Sequence, residues 1–259
     1  MKIVRYRHEG REHYGALEGD TVVPMEGNLD ALTKTPRAKS IPLGTVRLLA
    51  PVAPGKIVAA GLNYGEFVRE QKVDPPAEPL IFLKPSTAVI GPNDAIVYPR
   101  QTRELYYEGE LAIVIARKAA HVPPSEARRY VLGYTCMNDV TAGDLQARDH
   151  EFTRSKSFDT FAPLGPVIET AIENPDALHL TTKLNGKLYQ NTSTSDLIFK
   201  CDFLLSFISH IMTLLPGDVI STGTPPGVGQ LKPGDVIEIE IEQIGVLTNT
   251  VTTADSSSC

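Results

Sequence analysis

Isoleucine at 237, 239 and 241 alternates with glutamate at 238, 240 and 242. A period of two describes a β-strand with one face in a core and the other in water, and no helix can seat it. The turn that feeds it, Pro-Gly-Asp-Val-Ile at 233–237, also occurs at 216–220, each time opening onto an apolar run. Two copies make a recurring turn and not a solenoid. The same punctuation runs through the chain: 20 glycines and 20 prolines in 259 residues make turns frequent and favour short strands over long helices. The expected class is α+β, mainly β, with a few short helices.

Residues 2–6, 13–17 and 21–24 read as short strands, followed by a polar stretch that ends in Pro42. Residues 1–45 are therefore expected to form a small N-terminal β domain and residues 46–259 the main domain. After Pro51 and Pro54, residues 56–61 read as a buried strand stopped by glycine, with a short helical stretch over 64–71. Residues 80–83 and 110–116 are further strands. Leu184-Asn185-Gly186-Lys187-Leu188 marks a hairpin, because Asn-Gly suits the positive φ angles of a type I′ turn. A short helix is predicted to start at Pro124, capped by Ser125, and to end near Gly133. A longer one is predicted over 202–214, where Phe203, Phe207 and Ile211 form one stripe and Leu204, Ile208 and Met212 another. Both stripes are expected to pack on a sheet before Pro216-Gly217 stops the helix.

Composition removes several function classes. A hydrophobic share of 42% excludes disorder, and no apolar run approaches the ~18 residues of a membrane span. A net charge of −6 with no block of Lys or Arg leaves no footprint for nucleic acid or an anionic membrane. Cys136, Cys201 and Cys259 are odd in number and lack paired spacing, which gives neither a disulfide framework nor a zinc site and fits a reducing cytoplasm. Met1-Lys2-Ile3-Val4-Arg5 alternates apolar with basic residues and reads as an opening strand, not a secretory signal. The polar tail from Thr253 to Cys259 is expected to be disordered.

Glu108-Gly109-Glu110 opens a predicted strand. Residues two apart on a strand project from one face, so the two carboxylates point into one space while Gly109 leaves the other face bare. Asp139, which follows the strand-like Tyr134-Thr135-Cys136-Met137-Asn138, can bring a third carboxylate from a neighbouring strand. Three anions at close range do not stay ionised together unless protons or a cation compensate them. An all-oxygen set suits a hard divalent ion, Mg²⁺ or Mn²⁺ before Ca²⁺, with water or substrate completing the octahedron. The same spacing also fits a solvated acidic strand end.

Six stretches, in order, carry a family resemblance: Gly61-Leu62-Asn63-Tyr64, Phe82-Leu83-Lys84-Pro85-Ser86, Tyr107-Glu108-Gly109-Glu110-Leu111, Gly133-Tyr134 with Asn138-Asp139-Val140-Thr141-Ala142, Lys156-Ser157-Phe158-Asp159-Thr160, and Thr222-Gly223-Thr224-Pro225-Pro226-Gly227-Val228-Gly229. Over residues 49–251 the chain thereby resembles the fumarylacetoacetate hydrolase family. The resemblance implies a mixed β-roll, a homodimer, and Glu108, Glu110 and Asp139 as ligands of Mg²⁺ or Mn²⁺. It implies active-site roles for Gln146 and Lys156, and substrate binding by Thr224. Such roles make physical sense, since three carboxylates around a divalent cation leave about one negative charge, which a cation such as Lys156 must offset before an anionic substrate binds. Asn63 is read as a helix cap and Lys84 as one half of a pairing near its strand end, both structural.

Two positions depart from the family. Its hydrolases carry a histidine and a glutamate three residues apart in a mobile lid after the Asn-Tyr pair; here those positions are Phe67 and Glu70. Phenylalanine takes up no proton, so the hydrolytic base is absent unless another side chain supplies it. His150, between Asp139 and Lys156, is the nearest candidate by sequence. Gly143 stands where many members have an arginine. The chemistry that survives needs no attacking water. A 2-oxo acid chelates a metal through its carboxylate and 2-oxo oxygen, and the enolate so stabilised forms by decarboxylation or by proton transfer. Lys156, or Glu70 once the lid desolvates it, can move that proton, and Phe67 dries the closed site against the substrate.

The expected activity is thus a metal-dependent decarboxylase or isomerase of 2-oxo or 2-hydroxy-dienoic diacids. The chain resembles the 2-hydroxyhepta-2,4-diene-1,7-dioate isomerase and 5-oxopent-3-ene-1,2,5-tricarboxylate decarboxylase branch, which implies a place in aromatic acid breakdown. Alternatives are an acylpyruvate or fumarylpyruvate hydrolase, an oxaloacetate decarboxylase, and a metal-binding homologue without activity. The expected partner is a small anionic 2-oxo acid, with neither nucleic acid nor membrane.

Overall fold

The strand Gly109–Ile115 shows no polar and apolar alternation because it is buried on both faces. Leu111, Ile113 and Ile115 enter one hydrophobic cluster, Ala112 and Val114 the other. The structure, a computed structural model describing residues 1–254, builds a 13-stranded sheet around it. Val131–Asn138 and Val219–Ser221 flank the strand, both antiparallel to it. Beyond Val219–Ser221 lie Lys56–Gly61, paired in parallel, and then Leu80–Pro85 at the sheet's edge. In the other direction Ala162–Glu169 pairs with Lys2–His8, through which Arg11–Glu18 and Thr21–Glu26 extend the same sheet.

A 5-stranded sheet packs on this one in the order Ala95–Tyr98, Gly245–Thr253, Val236–Ile241, His179–Leu184, Lys187–Ser193. Ile239, Ile241, Leu180 and Leu247 from it share a core with Leu111 and Ile113. The alternating segment behaves as its period dictates: Ile237, Ile239 and Ile241 are buried and Glu240 faces water. The Asn185-Gly186 hairpin joins the last two strands with φ angles of 52° and 77°, both positive as a type I′ turn requires. A 3-stranded sheet of Thr141–Ala142, Leu105–Tyr107 and Gly229–Leu231 closes one end. The fold is thus mainly β, with short α-helices at Gly65–Gln71, Gly143–Asp149, Phe152–Lys156 and Cys201–Ile211.

Several expectations need correction. The segment Pro124–Tyr130 is a 3₁₀ helix that starts behind Pro123 without a side-chain cap, so Ser125 caps nothing. The fixed φ of proline supplies the start instead. The longer helix stops at Ile211, and only its Leu204 and Ile208 stripe is buried. Phe203 is 42% exposed and Ile211 55% exposed. The aromatic stripe stacks on itself, with Phe203 5.6 Å from Phe199 and 6.2 Å from Phe207 between ring centres. Thr253 belongs to the final strand, paired with Tyr98, and the Ala254 amide donates to the Tyr98 carbonyl at 3.3 Å; residues 255–259, Cys259 included, lie outside the described residues. Cys136 and Cys201 are buried and unpaired. No described helix is long and apolar enough to cross a membrane.

Candidate active site

Glu108 precedes the strand Gly109–Ile115 and Glu110 is its second residue, so both carboxylates leave from one face. The other face is occupied and not bare: a Cβ on Gly109 would lie 2.3 Å from Thr182 Oγ1 and 2.8 Å from Gln190 Oε1. Only glycine lets the second sheet approach this closely. Asp139 follows the neighbouring strand, and its amide donates to the Glu108 carbonyl at 2.9 Å. One carboxylate oxygen from each of Glu108, Glu110 and Asp139 falls within 4.8 Å of the others. The solvated strand-end alternative fails on burial, since Glu110 and Asp139 are each only 1% exposed.

Two lysines, two hydroxyls and one backbone amide from other elements hold these anions. Lys156, at the end of helix Phe152–Lys156, donates to Glu108 at 2.9 Å and to Asp139 at 2.7 Å. Lys84, fully buried on Leu80–Pro85, donates to the other Asp139 oxygen and to the Val140 carbonyl. Thr141 donates to Glu108 at 2.9 Å. Glu110 accepts from the Ser221 hydroxyl and, at 2.9 Å, from the Gly223 amide. Burial pushes the Glu110 carboxyl up to about 8, with Asp139 and Glu108 adding to the rise. Burial raises Glu108 too, against the pull of Lys156. For Asp139, burial is outweighed by Lys156 and Lys84, which hold it below the usual carboxylate range. Burial alone would discharge Lys156, but Asp139 and Glu108 hold it well above the ordinary lysine value.

A donor set of three close carboxylates, one of them forced toward its neutral form, fits a hard divalent cation. Two lysines, not one, share the site with those three carboxylates; fully ionised, the set carries about −1, which a divalent ion would turn into about +1. That balance suits an anionic ligand. Lys84 was expected to pair structurally near its strand end; its partner is Asp139 itself, which makes it part of the site. Its place at the end of the uncharged run Leu80-Ile81-Phe82-Leu83 and inside the stretch Phe82-Leu83-Lys84-Pro85-Ser86 was the signal available. Ser221 gave none and Gly223 only its place in the Thr222–Gly229 stretch, because both reach Glu110 through the pairing of Val219–Ser221 with Gly109–Ile115.

A cavity of about 230 Å³ opens over the carboxylates and is lined also by Phe67, Gln146, Lys156 and Thr224, with Leu80, Phe82 and Phe152 as apolar walls. Seven of the eight residues expected to act here are thus gathered. The eighth, Glu70, is exposed and lies outside the lining, although it shares the helix Gly65–Gln71 with Phe67. His150 is exposed at the end of helix Gly143–Asp149 and lines a separate cavity of about 480 Å³. Leu80, Phe82 and Phe152 line both spaces, the two rings edge to face at 5.1 Å. Asn63 caps no helix. It is buried, donating to the Thr222 carbonyl at 2.8 Å and accepting from the Phe199 amide at 2.8 Å, so it pins the turn that carries Thr224. Gly143 has Tyr106 in place of its own side chain, for a Cβ there would lie 2.4 Å from that ring.

Residues 56–252 match the fumarylacetoacetate (FAA) hydrolase C-terminal family, and residues 1–51 match the Rv2993c-like N-terminal family. The chain belongs to the fumarylacetoacetate hydrolase family. Among solved structures of the family, 2-hydroxyhepta-2,4-diene-1,7-dioate isomerase from Mycobacterium marinum is 40% identical with a TM-score of 0.91, covering 99% of this chain and 100% of that one. Maleylpyruvate hydrolase from Sphingobium sp. SYK-6, solved with manganese(II) and pyruvate, is 30% identical with a TM-score of 0.82, covering 98% of this chain and 100% of that one. The mitochondrial oxaloacetate tautomerase Fahd2a of Rattus norvegicus is 40% identical over 222 residues, 82% of this chain and 71% of its own length.

Proposed function

We propose that the protein is a divalent-metal-dependent isomerase or decarboxylase of 2-oxo and 2-hydroxy-dienoic diacids, moving a proton or releasing CO₂ and not hydrolysing a carbon–carbon bond. The observation that carries this reading is Phe67: it lines the acidic cavity at the place where the family's hydrolases keep a base, and His150 lines the neighbouring cavity and not this one. The relatives named tautomerase and isomerase support it, since neither reaction needs an attacking water. The manganese(II) and pyruvate held by the Sphingobium hydrolase support a metal and a 2-oxo acid as the ligands of such a site.

Glu108, Glu110 and Asp139 would hold Mg²⁺ or Mn²⁺, which supplies an electrophile for the 2-oxo carboxylate end of the substrate. The residues of the chain do the rest. Lys156 and Lys84 fix the positive balance that draws the anion in, and Lys156, held protonated, donates toward the substrate's 2-oxygen. Thr224 and Gln146 orient the carboxylate and the chain beyond it. In isomerisation the 2-hydroxyl of the enol loses its proton and C3 gains one, with Glu70 as the carrier once helix Gly65–Gln71 folds over the cavity. In decarboxylation the bond to the leaving carboxylate breaks, its electrons pass to C3, and the same proton delivery completes the product. Phe67, Phe82 and Phe152 keep water from the reacting carbon.

The test is a substrate panel of oxaloacetate, an acylpyruvate and 2-hydroxyhepta-2,4-diene-1,7-dioate with Mg²⁺, with Mn²⁺ and with chelator, following ultraviolet absorbance, CO₂ and pyruvate. Loss of enol absorbance without pyruvate is expected for the isomerase, and CO₂ for the decarboxylase. Metal-dependent release of pyruvate and an acid from the acylpyruvate would overturn the reading.

A further inference from the structure

We infer that Gln190 is a positioning residue that ties the substrate-binding turn to the strand of metal ligands, a conclusion resting on the reading of Thr224 as a substrate contact. Gln190 sits on Lys187–Ser193, the outer strand of the 5-stranded sheet, among residues that mostly face water. It is itself 0% exposed, whereas Tyr189 beside it is 43% exposed. A fully buried carboxamide on an outer strand must be recovering its lost hydration elsewhere.

It recovers it in one place. Gln190 Oε1 accepts from the Gly109 amide at 3.1 Å, and Nε2 donates to Thr224 Oγ1 at 2.9 Å and to the Pro225 carbonyl at 2.9 Å. The orientation of the side-chain amide is fixed by these partners, because a backbone N–H only donates and a carbonyl only accepts. The Thr224 hydroxyl in turn donates to the Gly109 carbonyl at 3.2 Å. Both backbone groups of Gly109, the residue between Glu108 and Glu110, are therefore closed into a ring with Gln190 and Thr224. The metal ligands keep supports of their own: Gly109 pairs with Asn138 in the sheet, and the Glu108 amide donates to the Asn138 side chain at 3.0 Å. In the substrate turn Gln190 holds Thr224 and Pro225, while Asn63 holds Thr222 and Tyr107 holds Gly227. Removing the amide should thus release Thr224 and spare the ion.

The experiment compares Gln190→Met, Thr224→Val and the double variant in the full chain, using Mn²⁺ affinity, oxalate affinity of the Mn²⁺-loaded protein, KM and kcat, and hydrogen exchange without metal. Oxalate mimics a planar enolate flanked by a carboxylate. In Gln190→Met, loss of two hydrogen bonds to the turn is expected to weaken oxalate binding and raise KM by about tenfold. Mn²⁺ affinity and kcat should stay within about twofold of the parent. Amides of residues 222–229 should exchange faster while those of 110–115 keep their protection. The double variant should bind oxalate no more weakly than Thr224→Val alone, because both changes remove one coupled contact. Unchanged oxalate affinity and exchange in Gln190→Met, or losses that add fully in the double variant, would overturn the inference. If Thr224→Val itself leaves oxalate affinity and KM intact, the substrate role of Thr224 fails instead, and the link between Gln190 and the turn is then decided by the exchange of 222–229.

Discussion

Lys84 and Lys156 grip Asp139 through opposite carboxylate oxygens, and both lysines are almost wholly buried. Taking one away leaves buried charge short of a partner, which is far more costly than losing an exposed ion pair. Lys84→Met is expected to lower stability by about 3–5 kcal/mol in denaturant titrations without metal, and saturating Mg²⁺ or Mn²⁺ to recover part of it. Glu110 sets a pH dependence. Its folded-state value of about 8 lies above the ordinary 4.5, so the neutral form is the one the fold favours. The metal-free protein therefore loses stability as pH rises from the ordinary carboxylate range to about 8. A bound cation needs the ionised form, so the gain in melting temperature on adding Mn²⁺ should grow across the same interval and then level off. Equal gains across the whole interval would contradict this assignment. Glu110→Gln, which keeps the shape and removes the charge, should abolish that gain and cost at least about a hundredfold in turnover.

Helix Gly143–Asp149 leans on the strand Leu105–Tyr107 so closely that its first residue is pressed against the Tyr106 ring. Gly143→Ala is expected to destabilise by about 1–3 kcal/mol, and Tyr106→Ala in the same chain to relieve most of that, a non-additivity read by thermal melting. At 143 the Tyr106 ring from the adjacent strand fills the space a side chain would take. Packing of this kind, between elements distant in the chain, decides which elements could be read in advance. Val236–Ile241 and Lys56–Gly61 carry their burial in their own period or apolar run, so local pattern suffices. Helix Cys201–Ile211 carries two apolar stripes, and nothing local says that Leu204 and Ile208 meet the core while Phe203 and Ile211 do not. Asn63 suits a cap by residue type, yet its partners Thr222 and Phe199 are far along the chain.

For the whole molecule we propose a homodimer. Phe203, Ile211 and Leu215 stay exposed along one helix and its exit, and the edge strand Leu80–Pro85 leaves Leu83 48% exposed with no charged residue before Lys84. Apolar helix faces and uncharged sheet edges of this kind are normally covered. Light scattering is expected to return the mass of two chains, and a single-chain mass at micromolar concentration would count against it. The division between local and global information is clearest at the active site. Strand period was enough to set Glu108 and Glu110 on one face and side-chain chemistry to exclude Phe67 as a base, whereas spacing made Asp139 only a candidate and the family resemblance made it their partner. The second lysine, the hydroxyl and amide that hold Glu110, the buried Gln190 and the exposed position of Glu70 depended on which strands lie side by side. Sheet neighbours here come from residues tens to more than a hundred positions apart, as Val219–Ser221 does beside Gly109–Ile115, and only the folded packing brings such groups within hydrogen-bonding reach.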